Sequence, residues 1–299
     1  MILEASAAPI AASNVPHLKL LKRISQQNMK HSKIESLHVW GLCALPDDMT
    51  LLASGLAGLR ALSQRSGQLS PRDPCDLKNV HSVTFDASTD TLLLAVWIEG
   101  ATGGVYWLVS LRRGPEEWIE VTRIQSEIKH LDFGPWYVSL SAVGDSRVLL
   151  GEHDTERLAV FDVNEKRDLR SVGTVLLENQ FRVFACTREG PDTLVALSHD
   201  DNSVSLHRLV ALQLEQLARV HLTDPWDLLF RGYTLLVSDY KDVRKQAIIS
   251  MDTRGGHLTR QRQLLEANAK IRVEQWCLSD GHLLILDYNS KDLLVYSIE

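Results

Sequence analysis

The 299-residue sequence contains few cysteines, and their spacing excludes several classes of protein. Cys43, Cys75, Cys186 and Cys277 form neither a CxxC pair nor the cluster with histidine that zinc motifs require. Four widely spaced cysteines also argue against a dense disulfide framework, which is typical of small secreted proteins. We therefore expect an intracellular protein, cytoplasmic or nuclear, without a zinc site.

The sequence also lacks a long apolar run. A membrane helix needs about 20 consecutive apolar residues, and no segment approaches that length. The first residues, MILEASAAPIAASN, carry Glu4 and no basic residue, and their apolar runs are too short for a secretory signal. We expect residues 1–16 to form a flexible tail, residues 17–299 to form one domain, and the protein to stay out of the membrane.

Neither the charge nor the motifs indicate a known chemistry. The formal net charge is −6, with 32 lysines and arginines against 38 aspartates and glutamates. A general nucleic-acid binder would instead carry a strong positive charge. The serine-hydrolase, zinc-protease, phosphate-loop, dinucleotide-binding and EF-hand motifs are all absent. The sequence therefore favours a protein that is not an enzyme, with no cofactor and no assigned catalytic residue.

What the sequence does contain is a repeat of short apolar strands. From residue 34 onward, Val, Ile, Leu and aromatic residues alternate with clusters of Gly, Asp, Asn and Ser, which is typical of all-β proteins. Segments that resemble the first strand of a unit begin near Ser36, Val80, Trp136, Phe181, Trp226 and Ile271. The last four of these positions are 45 residues apart, and such a period indicates a repeat architecture.

Each repeat unit contains four predicted strands. A second and a third strand, separated by a polar turn, are clearest in residues 147–163, 193–209 and 282–298. Fourth strands are predicted at residues 118–124, 169–176, 214–222 and 257–265. Four antiparallel strands per unit predict an all-β protein with the six blades of a β-propeller. Because the last unit ends after its third strand, residues 17–25 are predicted to complete the last blade and cover its edge.

Other interpretations of these segments stay open at the level of sequence. Seven blades would fit if the longer interval between the second and third units hides an extra element. Residues 208–220 and 121–131 have helical propensity and could each form a short helix.

Two predicted third strands carry a resemblance to a known superfamily. Residues 158–163, LAVFDV, and residues 293–298, LLVYSI, resemble the third strand of WD40-type β-propeller blades, and the polar turns before them are also similar. The resemblance implies that the loop before each first strand and the turn between the second and third strands open on one face, here called the top face.

The top face is predicted to bind a protein or a peptide. Its candidate binding residues are Trp136, Trp226, His153, Asp154, His199, Asp200, Asp201, Asp239 and Asp287. Tryptophan at a rim suits contact with a peptide, and the carboxylates should make the face acidic and attractive to a basic partner. The sequence thus predicts a non-catalytic interaction module.

A calcium-dependent hydrolase is the alternative function. Glu35, Asn79, Asn179 and Asp224 precede predicted first strands, and oxygen ligands that converge on a channel suit Ca²⁺. This set resembles the ligands of calcium-dependent six-bladed lactonase-type propellers, which implies lactonase or esterase activity. Asn and Asp also cap turns at the start of strands, so a structural role stays open.

Overall fold

The repeated strands form six antiparallel sheets in a computed structural model of the chain. The structure describes residues 18–25, 39–54, 57–70, 73–100, 103–129, 138–144, 146–153, 155–242, 245–265, 271–279 and 281–298. The predicted tail, residues 1–16, lies outside the described residues. We number the sheets as blades 1 to 6 in chain order.

The first three blades follow the chain without a crossover. Blade 1 consists of β2 (Gly41–Ala44), β3 (Met49–Ser54) and β4 (Gly58–Ser63). Blade 2 consists of β5 (Val80–Asp86), β6 (Thr91–Gly100), β7 (Gly103–Arg113) and β8 (Trp118–Lys129). Blade 3 consists of β9 (Val138–Gly144), β10 (Arg147–Glu152), β11 (Thr155–Val163) and β12 (Leu169–Phe181).

Blades 4 and 5 repeat this order, and blade 6 departs from it. Blade 4 consists of β13 (Val183–Glu189), β14 (Asp192–Ser198), β15 (Ser203–Val210) and β16 (Gln213–His221). Blade 5 consists of β17 (Pro225–Arg231), β18 (Thr234–Asp242), β19 (Lys245–Asp252) and β20 (Thr259–Leu265). Blade 6 consists of β21 (Val273–Ser279), β22 (His282–Asp287), β23 (Leu293–Ile298) and β1 (Leu18–Ile24).

The second strand of each blade is buried on both of its faces. In β6, Leu92, Leu93, Leu94 and Ala95 are all inaccessible to solvent, although successive side chains point to opposite faces. A strand that is covered on both faces gives a continuous apolar run rather than an alternating pattern. This explains why several consecutive apolar residues recur at this position of the repeat.

Apolar clusters join each blade to its two neighbours. Tyr106 of blade 2, for example, packs in one cluster with Phe161 of blade 3. Five such clusters connect blades 1 to 6 in order, and a sixth brings Leu284 of blade 6 together with Leu52 of blade 1. The apolar interior is therefore a ring of interfaces between blades.

The ring is closed by the first described strand. β1 pairs antiparallel with β23, from Leu18 opposite Ile298 to Ile24 opposite Leu293. Ile24 is only 1% exposed and belongs to the cluster between blades 6 and 1. The prediction that an N-terminal strand completes the last blade is confirmed.

The six-bladed all-β fold is confirmed, with one local difference. Among the described residues, blade 1 has three strands, and a bridge between Leu62 and Leu69 lies where a fourth strand was predicted. In the longer second interval, the residues that the structure describes form the extended strands β6, β7 and β8 of blade 2, which rules out seven blades. Residues 208–220 form parts of β15 and β16, and residues 121–129 lie in β8, so the helical interpretations are wrong.

The described residues contain no α-helix, only a 3₁₀ turn at Arg254–Gly256. Within them, no helix is long and apolar enough to cross a membrane. The four cysteines are free and buried.

Candidate functional site

A cavity of about 700 Å³ lies between the first strands of the six blades. Each first strand contributes residues to its lining. Examples, one from each of the six strands in chain order, are Cys43, Phe85, Ala142, Cys186, Phe230 and Trp276. Because all six first strands border it, this cavity is the central channel of the propeller.

Aromatic and cationic side chains surround one end of the channel. We call this set the channel mouth, and its members are His153, Arg182, Trp226, Tyr240, Arg272 and Tyr288. The two arginines directly precede first strands, Trp226 is the second residue of β17, and the other three lie at or near the ends of second strands. The mouth therefore lies on the predicted top face and is built by blades 3 to 6.

The repeat itself places three members of the mouth. Aligned second strands read TLLLAVW (91–97), RVLLGEH (147–153), TLVALSH (193–199), TLLVSDY (234–240) and HLLILDY (282–288). Each ends in an aromatic or imidazole ring at the same position. Sequence reasoning missed Tyr240 and Tyr288, together with Arg182 and Arg272, although this recurring ring was a signal that could have identified the two tyrosines.

Trp226 is presented to solvent by a β-bulge. The register between β17 and β18 shifts between Pro225 and Asp227, so that Trp226 is the extra residue. A bulge redirects the side chain of the extra residue out of the alternating pattern. The indole is 41% exposed, and its Nε1 donates a hydrogen bond of 3.1 Å to Oδ2 of Asp224.

Four of the mouth side chains form a continuous stack around Trp226. The His153 ring lies parallel to the indole with a centroid distance of 6.1 Å, and the Tyr240 ring meets it edge-on at 6.1 Å. The guanidinium of Arg182 lies 5.3 Å from the centre of the indole. Such contacts fix the orientation of the rings.

Two predicted acidic residues are bound to the arginine of this stack. Arg182 contacts Oδ1 of Asp200 at 2.5 Å and Oδ1 of Asp224 at 2.6 Å. The structure therefore brings Trp226, His153 and Asp200 together, and a single guanidinium offsets part of the negative charge of the two carboxylates next to the indole. A binding role for these residues stays a prediction.

The other predicted aspartates hold turns of the propeller. Asp239 and Asp287 are 2% and 3% exposed. Asp239 Oδ1 accepts hydrogen bonds from the amides of Thr223 and Asp224, and Asp287 accepts one from the amide of Arg272. Asp201 accepts bonds from Ser203 and Arg219, and the Ser203 hydroxyl is the main cause of its lowered pKa.

His199 occupies the same place in its blade as His153 but lies in a different environment. It is buried, its Nδ1 lies 3.0 Å from the Gln180 carbonyl, and its Nε2 lies 2.6 Å from Ser205 Oγ. Nε2 of His207 lies 2.8 Å from the same hydroxyl. Burial lowers the pKa of His199 and lowers that of His207 to about 4, so the pair forms a neutral network inside blade 4.

Some predicted residues lie outside the described part of the chain, namely Glu35, Trp136 and Asp154. The other three proposed calcium ligands are not brought together by a shared contact. Asn179 is exposed in the outer strand β12, the Asn79 carbonyl accepts a bond from the amide of Trp97, and both carboxylate oxygens of Asp224 are engaged. Within the described residues, no group of three or more His, Cys, Asp or Glu side chains could hold a metal ion. A calcium site that includes Glu35 stays a prediction.

Next to the mouth, Glu152 is a buried carboxyl group with a displaced pKa. It precedes His153 and is 1% exposed, and burial raises its pKa from 4.5 to about 7. An acid whose pKa is higher in the folded state contributes stability below its unfolded pKa and loses it as the pH rises through the folded pKa. The stability contributed by Glu152 should therefore be present below about pH 4.5 and decline up to about pH 7.

We expect Glu152→Gln to remove this dependence, because glutamine keeps the neutral form at every pH. The melting temperature of the variant, relative to that of the unmodified protein, should rise between pH 4.5 and about pH 7 and then level off. Differential scanning calorimetry across this range measures it, with Glu156→Gln as an exposed control in the neighbouring strand. A difference that does not vary with pH would contradict the prediction.

No protein-family profile and no curated protein sequence match this chain. Solved structures share its fold at low sequence identity. A chain of the mitotic checkpoint complex aligns with a TM-score of 0.58 and 11% identity, over 99% of this chain and 97% of that chain. The β-propeller domain of Cps50 (Swd1) from Myceliophteria thermophila gives 0.55 and 12%, over 94% and 100%.

A third structure, a proposed 6-phosphogluconolactonase from Bacteroides fragilis, gives a TM-score of 0.54 and 10% identity over 84% of this chain and 91% of that chain. At these identities the similarity shows the fold alone. The resemblance to β-propellers is confirmed, and the function must be argued from the side chains of this chain.

Proposed function

We propose that this chain is a non-catalytic interaction module that binds a peptide segment of a partner protein at the channel mouth. The observation that carries the proposal is the exposed indole of Trp226, which three mouth side chains and Asp224 hold in one orientation above the channel.

The composition of the mouth supports a binding role. Trp226 and Tyr288 are 41% and 46% exposed, and two arginines lie beside them. Trp, Tyr and Arg are the residues on which the free energy of protein association most often depends. They combine a large apolar surface with hydrogen-bond donors, so they can cover a peptide and also bind its polar groups.

The rigidity of the mouth supports the same role. Ordering a flexible side chain on binding costs about 0.5–1.5 kcal/mol. Trp226 is already held by the Asp224 hydrogen bond and by its stacking contacts, so little of this cost remains. The channel below offers a further pocket, since its volume of about 700 Å³ exceeds that of a single side chain.

The pair that most resembles a catalytic nucleophile and base is poorly placed for catalysis. Ser205 Oγ lies 2.6 Å from His199 Nε2, which is a suitable distance for proton transfer. The serine is inaccessible to solvent, so a substrate could not reach its oxygen. This favours a binding role, and the calcium-dependent lactonase or esterase stays a hypothesis.

Three finer points belong to the proposal. The carboxylates of the top face predicted a basic partner. However, Asp200, Asp201 and Asp224 are each paired with an arginine. Measuring the net charge of the peptides that bind tests the expectation of a basic partner. An intracellular location, cytoplasmic or nuclear, and a partner that is neither a membrane nor a nucleic acid remain part of the proposal.

Trp226→Ala should weaken peptide binding at least about tenfold, as expected for an exposed tryptophan at the centre of an interface. The probes are peptides selected from a random-peptide display library against the unmodified protein, with Kd measured by isothermal titration calorimetry. Tyr233→Ala is the matched control, because this tyrosine is 51% exposed at the opposite end of blade 5.

The control should leave the Kd unchanged, and both variants should stay folded with a cooperative thermal transition, because neither ring belongs to the apolar clusters between blades. Selection that yields no binding peptide, or peptides that Trp226→Ala does not affect, would refute the proposed site.

A further inference from the structure

Arg272 is held between two tyrosines at the channel mouth. The centre of its guanidinium lies 4.2 Å from the ring centroid of Tyr288 and 5.6 Å from that of Tyr240. Its Nε also lies 3.4 Å from the Tyr240 hydroxyl. The two rings and this contact hold the plane of the guanidinium in one orientation, and the two terminal nitrogens remain available as donors.

Among the described residues, Arg272 differs from the other cationic groups near the mouth because no carboxylate forms an ion pair with it. Arg182 is paired with Asp200 and Asp224. Lys291, which also contacts the Tyr288 ring, is paired with Glu274 at 2.8 Å.

The Asp287 carboxylate contacts Arg272 through the backbone amide, and both of its oxygens are already engaged. Its Oδ1 accepts the bond from the backbone amide of Arg272, and its Oδ2 accepts a bond of 2.7 Å from the Ser290 hydroxyl. Asp287 therefore fixes the backbone of Arg272, and no carboxylate of the described residues pairs with the guanidinium.

A half-buried guanidinium without a counter-ion favours the binding of an anion. Partial burial removes some of its hydration, and a bidentate carboxylate or phosphate restores two charge-assisted hydrogen bonds in a geometry that matches the planar fork. The interaction is stronger at a partly buried site than in bulk water because the local dielectric constant is lower. Arg272 also lines the channel, so a ligand at the mouth can reach it.

We propose that Arg272, oriented by Tyr240 and Tyr288, binds a carboxylate or phosphate group of the peptide that occupies the channel mouth. This inference rests on the proposed function and specifies one feature of the partner. The partner carries an acidic or phosphorylated residue at the point that reaches blade 6.

The test compares matched peptides on matched variants. A peptide selected at the mouth is synthesised with Glu, phosphoserine or Gln at each position in turn, and the Kd of each is measured for the unmodified protein and for Arg272→Gln, Arg272→Lys and Arg231→Gln. Arg231 is an exposed arginine at the opposite end of blade 5, so it controls for the change in net charge.

The inference predicts one position at which the anionic peptide binds more tightly than its Gln counterpart. Arg272→Gln should remove that advantage, a loss of about tenfold or more. Arg272→Lys should keep part of it, since lysine retains the charge without the fork. Arg231→Gln should keep all of it. Whichever of the Glu and phosphoserine peptides has the lower Kd identifies the natural source of the anion.

Two results separate this inference from the proposed function. In the first result, the peptides require Trp226 for binding, but an anionic residue does not increase their affinity or Arg272→Gln does not decrease it. This result would overturn the inference and leave the proposed function standing. If no peptide binds, the proposed function fails, and NMR of the labelled arginine Nε–Hε groups during titration with inorganic phosphate and with acetate tests Arg272 by itself. Its signal, assigned by its loss in Arg272→Lys, should then shift and saturate, and a signal that does not move would overturn the inference.

Discussion

Deletion of residues 1–25 should abolish cooperative folding of the propeller. The deletion removes β1, so that β23 loses its six paired positions and the cluster between blades 6 and 1 loses Ile24. The net stability of a folded domain is only about 5–15 kcal/mol, and an open ring would also expose an unpaired edge strand that favours aggregation. Urea unfolding, followed by circular dichroism, should show no sigmoidal transition.

Deletion of residues 1–16 is the control, because these residues precede β1 and are expected to form a tail. It should leave the midpoint of urea unfolding unchanged. A synthetic peptide of residues 17–26, added to the shorter chain, should restore the transition if the loss is due to the missing strand. A chain without residues 1–25 that unfolds at the normal urea concentration would mean that β1 is dispensable for closure.

Gly58→Ala should cause the second large loss of stability. Gly58 has a φ of +74°, and a Cβ added to it would overlap the backbone carbonyl oxygen of Leu77 in the segment that leads into blade 2. The left-handed conformation costs an alanine about 1–2 kcal/mol, and overpacking against a rigid neighbour costs about 1–3 kcal/mol more.

Gly190→Ala separates the two contributions. Gly190 has a φ of +59°, and nothing lies within 4 Å of the position of its Cβ. The free energy of unfolding of Gly190→Ala should therefore fall only by the conformational contribution, about 1–2 kcal/mol. Urea unfolding of both variants gives the difference, which measures how closely the backbones of blades 1 and 2 approach each other. Equal losses would mean that the Leu77 segment moves away at little cost.

The fold could be predicted because its repeat is local and regular. The interval of 45 residues between first strands is visible in the sequence, and five of the six first strands begin within about two residues of their predicted positions, for example β5 at Val80 and β17 at Pro225. For the first blade, the predicted start near Ser36 lies outside the described residues, and the structure describes β2 from Gly41. The fourth strand of this blade could not be predicted, because a single bridge at Leu62 and Leu69 leaves no periodic pattern.

The site was predicted only in part because the side chains at the mouth do not follow the alternation of a strand. Trp226 is the extra residue of a bulge, and similar bulges shift the register at Val80/Ser82 and at Val273/Gln275. A two-residue period predicts the wrong direction after each of these shifts. The partners of the predicted acids were missed for a different reason, since Arg182 lies 18 residues from Asp200 and 42 from Asp224.

The pairing of β1 with β23 also determines when the protein can become complete during its synthesis. Residue 18 emerges from the ribosome long before residue 298, yet the two lie opposite each other in one sheet. The intervening blades can form in order as they emerge, because each packs on the one before it. β1 can pair with β23 only after residue 298 has left the ribosome, so β1 has no partner strand for most of translation. Closure is then slow, because it brings together the most distant parts of the chain.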